Sequence, residues 1–181
     1  MWVFLIIVLV IVAVGVLMYN SLVQLRERVD SSWSDIDVQL KRRHDLVPNL
    51  VETVRGYASH ERETLEGVIR ARNAAVSAQG PQDQAQAENQ LSGALRQIFA
   101  LSESYPQLQA ADNFRDLQQT LKQLEDSIQR ARVGYNNQVR EYNTKIRSVP
   151  SNIVANMGGF RPREFFEIEE GAREVPRVSF D

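Results

Sequence analysis

The sequence contains no cysteine and only two histidines among its 181 residues. The absence of cysteine excludes disulfide bonds, a thiol nucleophile and a thiolate metal site. A bundle di-metal site needs Glu-x-x-His pairs, and neither His44 nor His60 has a glutamate three residues before it. There is also no Gly-x-Ser-x-Gly elbow, and Gly158-Gly159 fits no Walker or dinucleotide-binding pattern. We therefore expect no catalytic residue, no metal and no cofactor, and we predict that the protein is not an enzyme.

Charged residues are missing from the first 20 positions and are nearly balanced in the rest. All 21 Lys and Arg and all 23 Asp and Glu follow Asn20, and the formal net charge is -2. A nucleic-acid-binding protein shows a basic excess on one face. We therefore expect no nucleic-acid partner.

The apolar run from Trp2 to Met18 predicts a transmembrane anchor over residues 1–20. At a rise of about 1.5 Å per residue the run spans about 26 Å, close to the thickness of one hydrocarbon core. Trp2 and Tyr19 stand at its two ends, where amphipathic rings favour the membrane interface. The alternative is a cleaved signal peptide, which the absence of Lys or Arg before the run disfavours. Arg26 and Arg28 follow the run, so the positive-inside rule favours a cytoplasmic soluble domain.

Apolar spacing after the anchor predicts an all-α fold. The transmembrane helix leads into an elongated, antiparallel, up-and-down bundle over residues 21–159, and residues 160–181 form an extended tail. The bundle has three long helices and a short fourth. The first helix runs from the anchor through Val68, with a kink or break before Pro48. After a Gly80-Pro81 turn, the second helix covers about Gln82–Ser104 and the third about Asp112–Val149. The fourth is capped by Ser151 and ends at Gly158-Gly159.

The segment Arg43 to Asn49 is the first candidate site. Pro48 removes one backbone donor from the first helix and frees the carbonyl near residue 44, which Asn49 or Arg43 can satisfy. A packing kink is the favoured interpretation. The alternative is a notch, including Asp45, at which a partner protein docks.

A repeated Tyr-Asn pair in the third helix is the second candidate site. Tyr135-Asn136 and Tyr142-Asn143 lie one heptad apart, and Arg132 precedes them. Tyrosine on an apolar stripe gives bulk with a polar end, and the neighbouring asparagine can bond across the bundle. We interpret the group as a polar layer that sets helix register, with a ligand site as the alternative.

Three phenylalanines after the paired glycines form a third group. Phe160, Phe165 and Phe166 are expected to close the end of the bundle. The alternative is an exposed aromatic anchor for a partner protein.

Taken in order, these motifs resemble the LemA family of bacterial membrane proteins over almost the whole chain. They include the anchor with Tyr19-Asn20, the segments over residues 33–40 and 42–51, Tyr57-Ala58-x-His60-Glu61, Ala71-Arg72, Tyr105-Pro106-x-Leu108, Ala131-Arg132-x-x-Tyr135-Asn136, Tyr142-Asn143 and the tail over residues 160–166. The resemblance implies a helical bundle with a single span in the bacterial inner membrane, and it supplies no catalytic residue. It also implies protein partners, since some relatives are linked to MoxR-type AAA+ ATPases or to internal membrane structures.

The resulting hypothesis is a membrane-anchored, non-enzymatic helical scaffold or adaptor. It binds the bilayer through residues 2–18, binds protein partners, for which AAA+ ATPase-linked proteins are the candidates, and forms a homo-oligomer. One alternative is a membrane-shaping, coat-like oligomer, and a second is an enzyme or metal protein with an unrecognised site.

Overall fold

The computed structural model describes residues 1–167, which fold into two compact units. The first unit comprises Met1–Arg43 and Leu121–Phe165, and the second comprises His44–Thr120 and residues 166–167. The described residues contain six helices and no strand, which confirms the all-α prediction. The helices are α1 (Trp2–Tyr57), α2 (Arg62–Ser77), α3 (Gly80–Ser102), α4 (Pro106–Ala110), α5 (Asp112–Arg147) and α6 (Ser151–Met157).

The N-terminal part of α1 is long and apolar enough to cross a membrane. Its best 18-residue window has a mean hydropathy of 3.0, and none of that window is buried by the protein. An apolar helix that the protein does not cover is what a lipid-facing span requires. The helix continues into the first unit without interruption, as the sequence predicted.

In the first unit, α1 and α5 pack in antiparallel directions. The Trp33 ring lies 5.3 Å from the Tyr135 ring, and farther along α1 the Arg43 guanidinium lies 3.0 Å from the Glu125 carboxylate. Residue numbers thus rise along α1 while they fall along α5. The apolar side chains buried in this unit are Leu22, Leu25, Val29, Ile36, Leu40, Leu121, Leu124, Ile128, Tyr135, Val139, Tyr142, Ile146, Ala155 and Phe160.

In the second unit, the predicted first helix is divided, which corrects the helix count. α1 ends at Tyr57 and α2 begins at Arg62. The apolar spacing does not reveal this turn, because the number of residues from Tyr57 to Leu65 also fits one face of an uninterrupted helix. α1 is not broken at Pro48, where a kink or break was expected.

α2 and α3 pack against each other, and the turn between them differs from the predicted one. Gly80 has a φ of +83° and, with Pro81, begins α3 rather than lying in the turn. Proline suits this place because its fixed φ and missing N–H fit the first helical turn. The apolar side chains buried in this unit are Val47, Leu50, Val51, Val54, Ala58, Leu65, Val68, Ala75, Ala85, Ala87, Leu91, Leu95, Ile98, Leu108, Phe114 and Phe166.

The short fourth helix of the prediction is α6, and it ends at Met157, directly before the glycine pair Gly158-Gly159, as expected. The prediction that Ser151 caps it is wrong, because Ser151 is the first residue inside the helix. Its hydroxyl instead donates to the carbonyls of Lys145 at 2.6 Å and Ser148 at 2.9 Å. Residues 161–167 have no regular secondary structure, and the rest of the predicted tail, residues 168–181, lies outside the described part of the chain.

Candidate functional site

The turn of α1 around Pro48 is held by a side chain from α2. Pro48 has no N–H, so the His44 carbonyl four residues earlier lacks its usual helical donor. Nε of Arg72 donates to this carbonyl at 3.3 Å. The sequence had suggested Asn49 or Arg43 for this role; Asn49 is exposed, and the buried Arg43 pairs with Glu125 in the first unit.

The same turn contributes to a buried polar cluster, formed by His44, Glu88 and Gln84. Nε2 of His44 lies 2.6 Å from Oε1 of Glu88, whose side chain has no solvent exposure. Nε2 of Gln84 donates to that carboxyl oxygen and to the Ala75 carbonyl, both at 3.0 Å. The cluster therefore links α1, α2 and α3, since a buried carboxyl group requires such partners.

This cluster was missed at the level of sequence, where His44 was considered only as a metal ligand and rejected. A usable signal existed in α3. Gln84 and Glu88 lie at helical spacing on the same stripe as Leu91 and Leu95, and all four are buried. Polar residues on an apolar stripe predict an internal hydrogen-bonded pair, although they do not name the partner.

The outer side of the Pro48 turn is exposed. Asp45, Pro48 and Asn49 are all solvent-accessible, and Glu52 follows them one turn later. Their spacing of three, four and seven residues places them on one face of α1. We call these four residues the outer Pro48 face.

The first unit contains a second polar site, which binds the tail. Nδ2 of Asn143 donates to the Arg163 carbonyl at 2.8 Å, and Oδ1 accepts from the Arg163 N–H at 2.9 Å. The Tyr135 hydroxyl donates to the Glu164 carbonyl at 2.8 Å. The Arg163 guanidinium in turn donates to both carboxylate oxygens of Asp30 on α1, at 2.8 and 3.2 Å. We call this group the tail clasp.

The tail clasp gives the repeated Tyr-Asn pair different partners from those predicted. Tyr135 and Asn143 bond to the backbone of the tail, not across two long helices. Tyr142 is buried beside them, while Asn136 and Arg132 are half-buried on α5. Asparagine suits this position because one amide can satisfy both the N–H and the carbonyl of an extended residue.

Burial raises the pKa of Tyr135 in the tail clasp and of Tyr142 beside it. The pKa of Tyr135 rises to about 12, and the neighbouring Arg163 charge opposes part of that rise. Tyr135 therefore remains a hydrogen-bond donor over the physiological pH range.

Two of the three predicted phenylalanines are buried. The Phe160 ring packs edge-on against Tyr19, with ring centres 5.4 Å apart, and the Arg26 guanidinium lies 5.5 Å from the Phe160 ring centre. A Cβ on Gly158 would lie 2.6 Å from the Phe160 ring, so a larger residue there would displace that ring. Phe165 is half-buried, and Phe166 is fully buried in the second unit.

The buried polar groups at both sites bond to other groups of the chain. Within residues 1–167, no group of three or more His, Cys, Asp or Glu side chains is arranged to hold a metal ion. A polar groove of about 510 Å³ also lies between α1 and α5 of the first unit. It is lined by Ser21, Gln24, Leu25, Arg28, Asn137, Arg140, Glu141, Thr144, Lys145 and Ser148.

Comparison with known proteins identifies the family. The LemA family profile matches residues 32–180. Magnetosome protein MamQ 2 of Paramagnetospirillum magneticum is 25% identical over 198 residues, covering 95% of this chain and 72% of that protein. Protein LemA of Metamycoplasma hominis is 26% identical over 166 residues, covering 90% of this chain and 73% of that protein. With its candidate membrane helix and all-helical fold, the chain belongs to the LemA family.

Proposed function

We propose that this protein is a membrane-anchored, non-enzymatic scaffold or adaptor that binds a protein partner at the outer Pro48 face and associates with itself. Its soluble part lies on the cytoplasmic side of the bacterial inner membrane, because Arg26 and Arg28 follow the apolar span. The observation that carries the proposal is the Pro48 turn, which is fixed from the inside and exposed on the outside.

The inner side of this turn is held by directional bonds. His44 contacts the buried Glu88, and Arg72 donates to the carbonyl that Pro48 leaves free. These bonds restrict how the turn can move. A surface that is already ordered loses less conformational entropy when a partner binds, which favours affinity.

The outer side offers groups suited to a polar contact. Asp45 and Asn49 present a carboxylate and an amide four residues apart, and Pro48 lies between them as a rigid apolar step. Such a surface suits a protein that supplies matching donors, including an AAA+ ATPase-linked partner. The non-enzymatic assignment is supported by the names of the relatives, which are not names of enzymes.

Site-specific photocrosslinking in native membranes tests the proposal. A photoreactive phenylalanine analogue is placed at Asn49 in one sample and at Gln119, another exposed position of the second unit, in the control. We expect discrete adducts from position 49 that are absent from position 119, with partners identified by mass spectrometry. Equal adduct patterns at both positions, or none at position 49, would remove the docking face.

Self-association is tested separately by crosslinking the full-length chain in the same membranes. We expect an adduct of two copies whose yield rises with expression level. A chain that stays monomeric at all levels contradicts this part of the proposal and leaves the docking face intact.

A second candidate function is membrane shaping by many assembled copies. It is favoured by the similarity to two proteins named magnetosome proteins, of Paramagnetospirillum magneticum and Magnetospirillum gryphiswaldense, at 25% and 26% identity. Electron microscopy of liposomes that contain the full-length chain tests it. Vesicles of unchanged shape at high protein occupancy would exclude it.

A further inference from the structure

The end of α6 lies next to the end of the apolar span. Tyr19 is the first residue after the apolar run, and its ring packs on Phe160. A Cβ on Gly158, directly after α6, would lie 3.1 Å from Cε2 of Tyr19. The C-terminal end of α6 is therefore at the level at which α1 leaves the apolar region.

The polar groove places the other end of α6 at a similar level. Ser21 and Gln24 on α1 line it together with Lys145 in the last turn of α5 and Ser148, which directly follows that helix. At a rise of about 1.5 Å per residue, these α1 residues lie within about 10 Å of the end of the apolar run. α5 thus returns to the membrane end of the first unit before α6 begins.

α6 and the residue before the proline expose a concentrated apolar surface. Val149, Ile153 and Met157 are 81%, 58% and 85% exposed. Among the described residues after Tyr19, seven large apolar side chains are exposed, and these three fall within nine residues. Single exposed apolar residues are ordinary, but three within one short segment, of which Ile153 and Met157 lie one turn apart on α6, indicate a surface that something covers.

Basic side chains flank this apolar surface on both sides. Arg147 precedes it and Arg161 follows it, and both are exposed. Lys145 and Arg28 line the neighbouring groove, where Glu141 is the one acidic residue among the lining side chains. Apolar residues flanked by Lys and Arg are typical of helices that lie in the membrane interface.

We propose that α6 is a second membrane contact, which lies in the interface of the bilayer that α1 spans. Val149, Ile153 and Met157 enter the boundary between headgroups and acyl chains, and Arg147 and Arg161 bind the phosphates of anionic lipids. The occupant is lipid because the surface lies beside the end of the apolar span and continues its exposed apolar surface. The inference depends on the anchor in the proposed function, and not on a protein partner.

Depth-dependent fluorescence quenching in liposomes tests the proposal. The chain has no cysteine, so a single cysteine can be introduced and labelled with an environment-sensitive dye. The label is placed by Ile153→Cys or Met157→Cys, and the full-length chain is reconstituted in phosphatidylcholine and phosphatidylglycerol with spin-labelled lipid. Leu17→Cys reports the anchor, and Val133→Cys, at a 52% exposed position on α5, is the matched control.

We expect lipid quenching at positions 153 and 157 to exceed that at 133 by roughly threefold, with a blue shift of the emission. Quenching at 17 alone would overturn the proposal while the anchor stands. No quenching at 17 would overturn the anchor as well. Protection at 153 and 157 from an aqueous quencher without lipid quenching would show that a second copy covers this surface, and would also overturn the proposal.

A substitution within the labelled chain gives a second measurement. Ile153→Asp, combined with the label at position 157, is expected to reduce lipid quenching there by roughly threefold, because a carboxylate disfavours the interface. Val133→Asp with the same label is the control and should leave quenching unchanged. Equal quenching with either substitution would contradict the proposal.

Discussion

Replacing Pro48 by alanine is expected to stabilise the fold. Proline inside a helix is about 3 kcal/mol less favourable than alanine. Here part of that loss is already offset, because Arg72 donates to the His44 carbonyl at 3.3 Å. A half-buried hydrogen bond of this length, made by a charged donor, contributes about 1 kcal/mol. We therefore expect Pro48→Ala to raise the free energy of unfolding by about 1–2 kcal/mol.

The same reasoning predicts that Pro48 and Arg72 are energetically coupled. In the parent chain, Arg72→Ala leaves the His44 carbonyl without a donor and costs about 1–2 kcal/mol. In the Pro48→Ala background, the new N–H of residue 48 supplies that donor. The cost of Arg72→Ala should then fall by about 1 kcal/mol, which is the interaction energy of the double-mutant cycle.

Urea unfolding of the full-length chain in detergent micelles, followed by far-UV circular dichroism, measures all four proteins of the cycle. Asn73→Ala is the control, because Arg72 also donates to Asn73 at the surface, and that bond should contribute little. An equal cost for Arg72→Ala in both backgrounds would refute the assignment of Arg72 to the freed carbonyl. A destabilising Pro48→Ala would refute the stability estimate.

Three further predictions concern the buried polar groups. His44→Leu should cost about 3 kcal/mol, because the buried Glu88 carboxyl group loses one of its partners. Adding Glu88→Leu to that variant should cost less than Glu88→Leu alone. The pKa of Tyr135 is about 12 in the folded state, against an ordinary value of 10.0. Between pH 10 and pH 12 the folded state therefore keeps a proton that the unfolded state loses. The free energy of unfolding should fall by about 2 kcal/mol over that range. Asn143→Ala should cost about 2 kcal/mol, since it leaves two backbone groups of Arg163 unpaired.

Each of these has a matched measurement. If the losses of unfolding free energy for His44→Leu and Glu88→Leu were strictly additive in urea unfolding, the buried contact between His44 and Glu88 would be contradicted. Tyr135→Phe should reduce the alkaline fall in stability and leave the smaller part due to Tyr142, whereas a fall that persists unchanged would assign it to other groups. Asn137→Ala, at an exposed position of α5, is the control for Asn143→Ala and should change stability by less than about 0.5 kcal/mol.

The helices were predictable because local patterns determine them. The uncharged run to Met18 and the three- and four-residue spacing of α5 are visible in the sequence alone. The turn between Tyr57 and Arg62 was not, since a short turn that preserves the phase of the apolar stripe leaves no trace in periodicity. Gly80-Pro81 was assigned to a turn because that dipeptide is compatible with both a turn and a helix start.

The partners of the site residues depend on contacts that no local pattern specifies. Pro48 correctly indicated a freed carbonyl, but its donor, Arg72, lies 28 residues away from His44. Glu88 lies 44 residues from His44, and Arg163 lies 20 residues from Asn143. Sequence can show that a polar residue occupies a buried stripe and needs a partner. Only the packing of the helices determines which residue that partner is.

Pro48→Ala also separates stability from function, because the two arguments predict opposite effects. If the outer Pro48 face binds a partner, the substitution removes the rigid step between Asp45 and Asn49 while it stabilises the helix. We expect a higher free energy of unfolding together with at least about a threefold loss of the photocrosslinked adduct at position 49. A stabilised variant with undiminished crosslinking would show that Pro48 is tolerated for reasons unrelated to docking. The stability that Pro48 costs the helix would then have no explanation in partner binding.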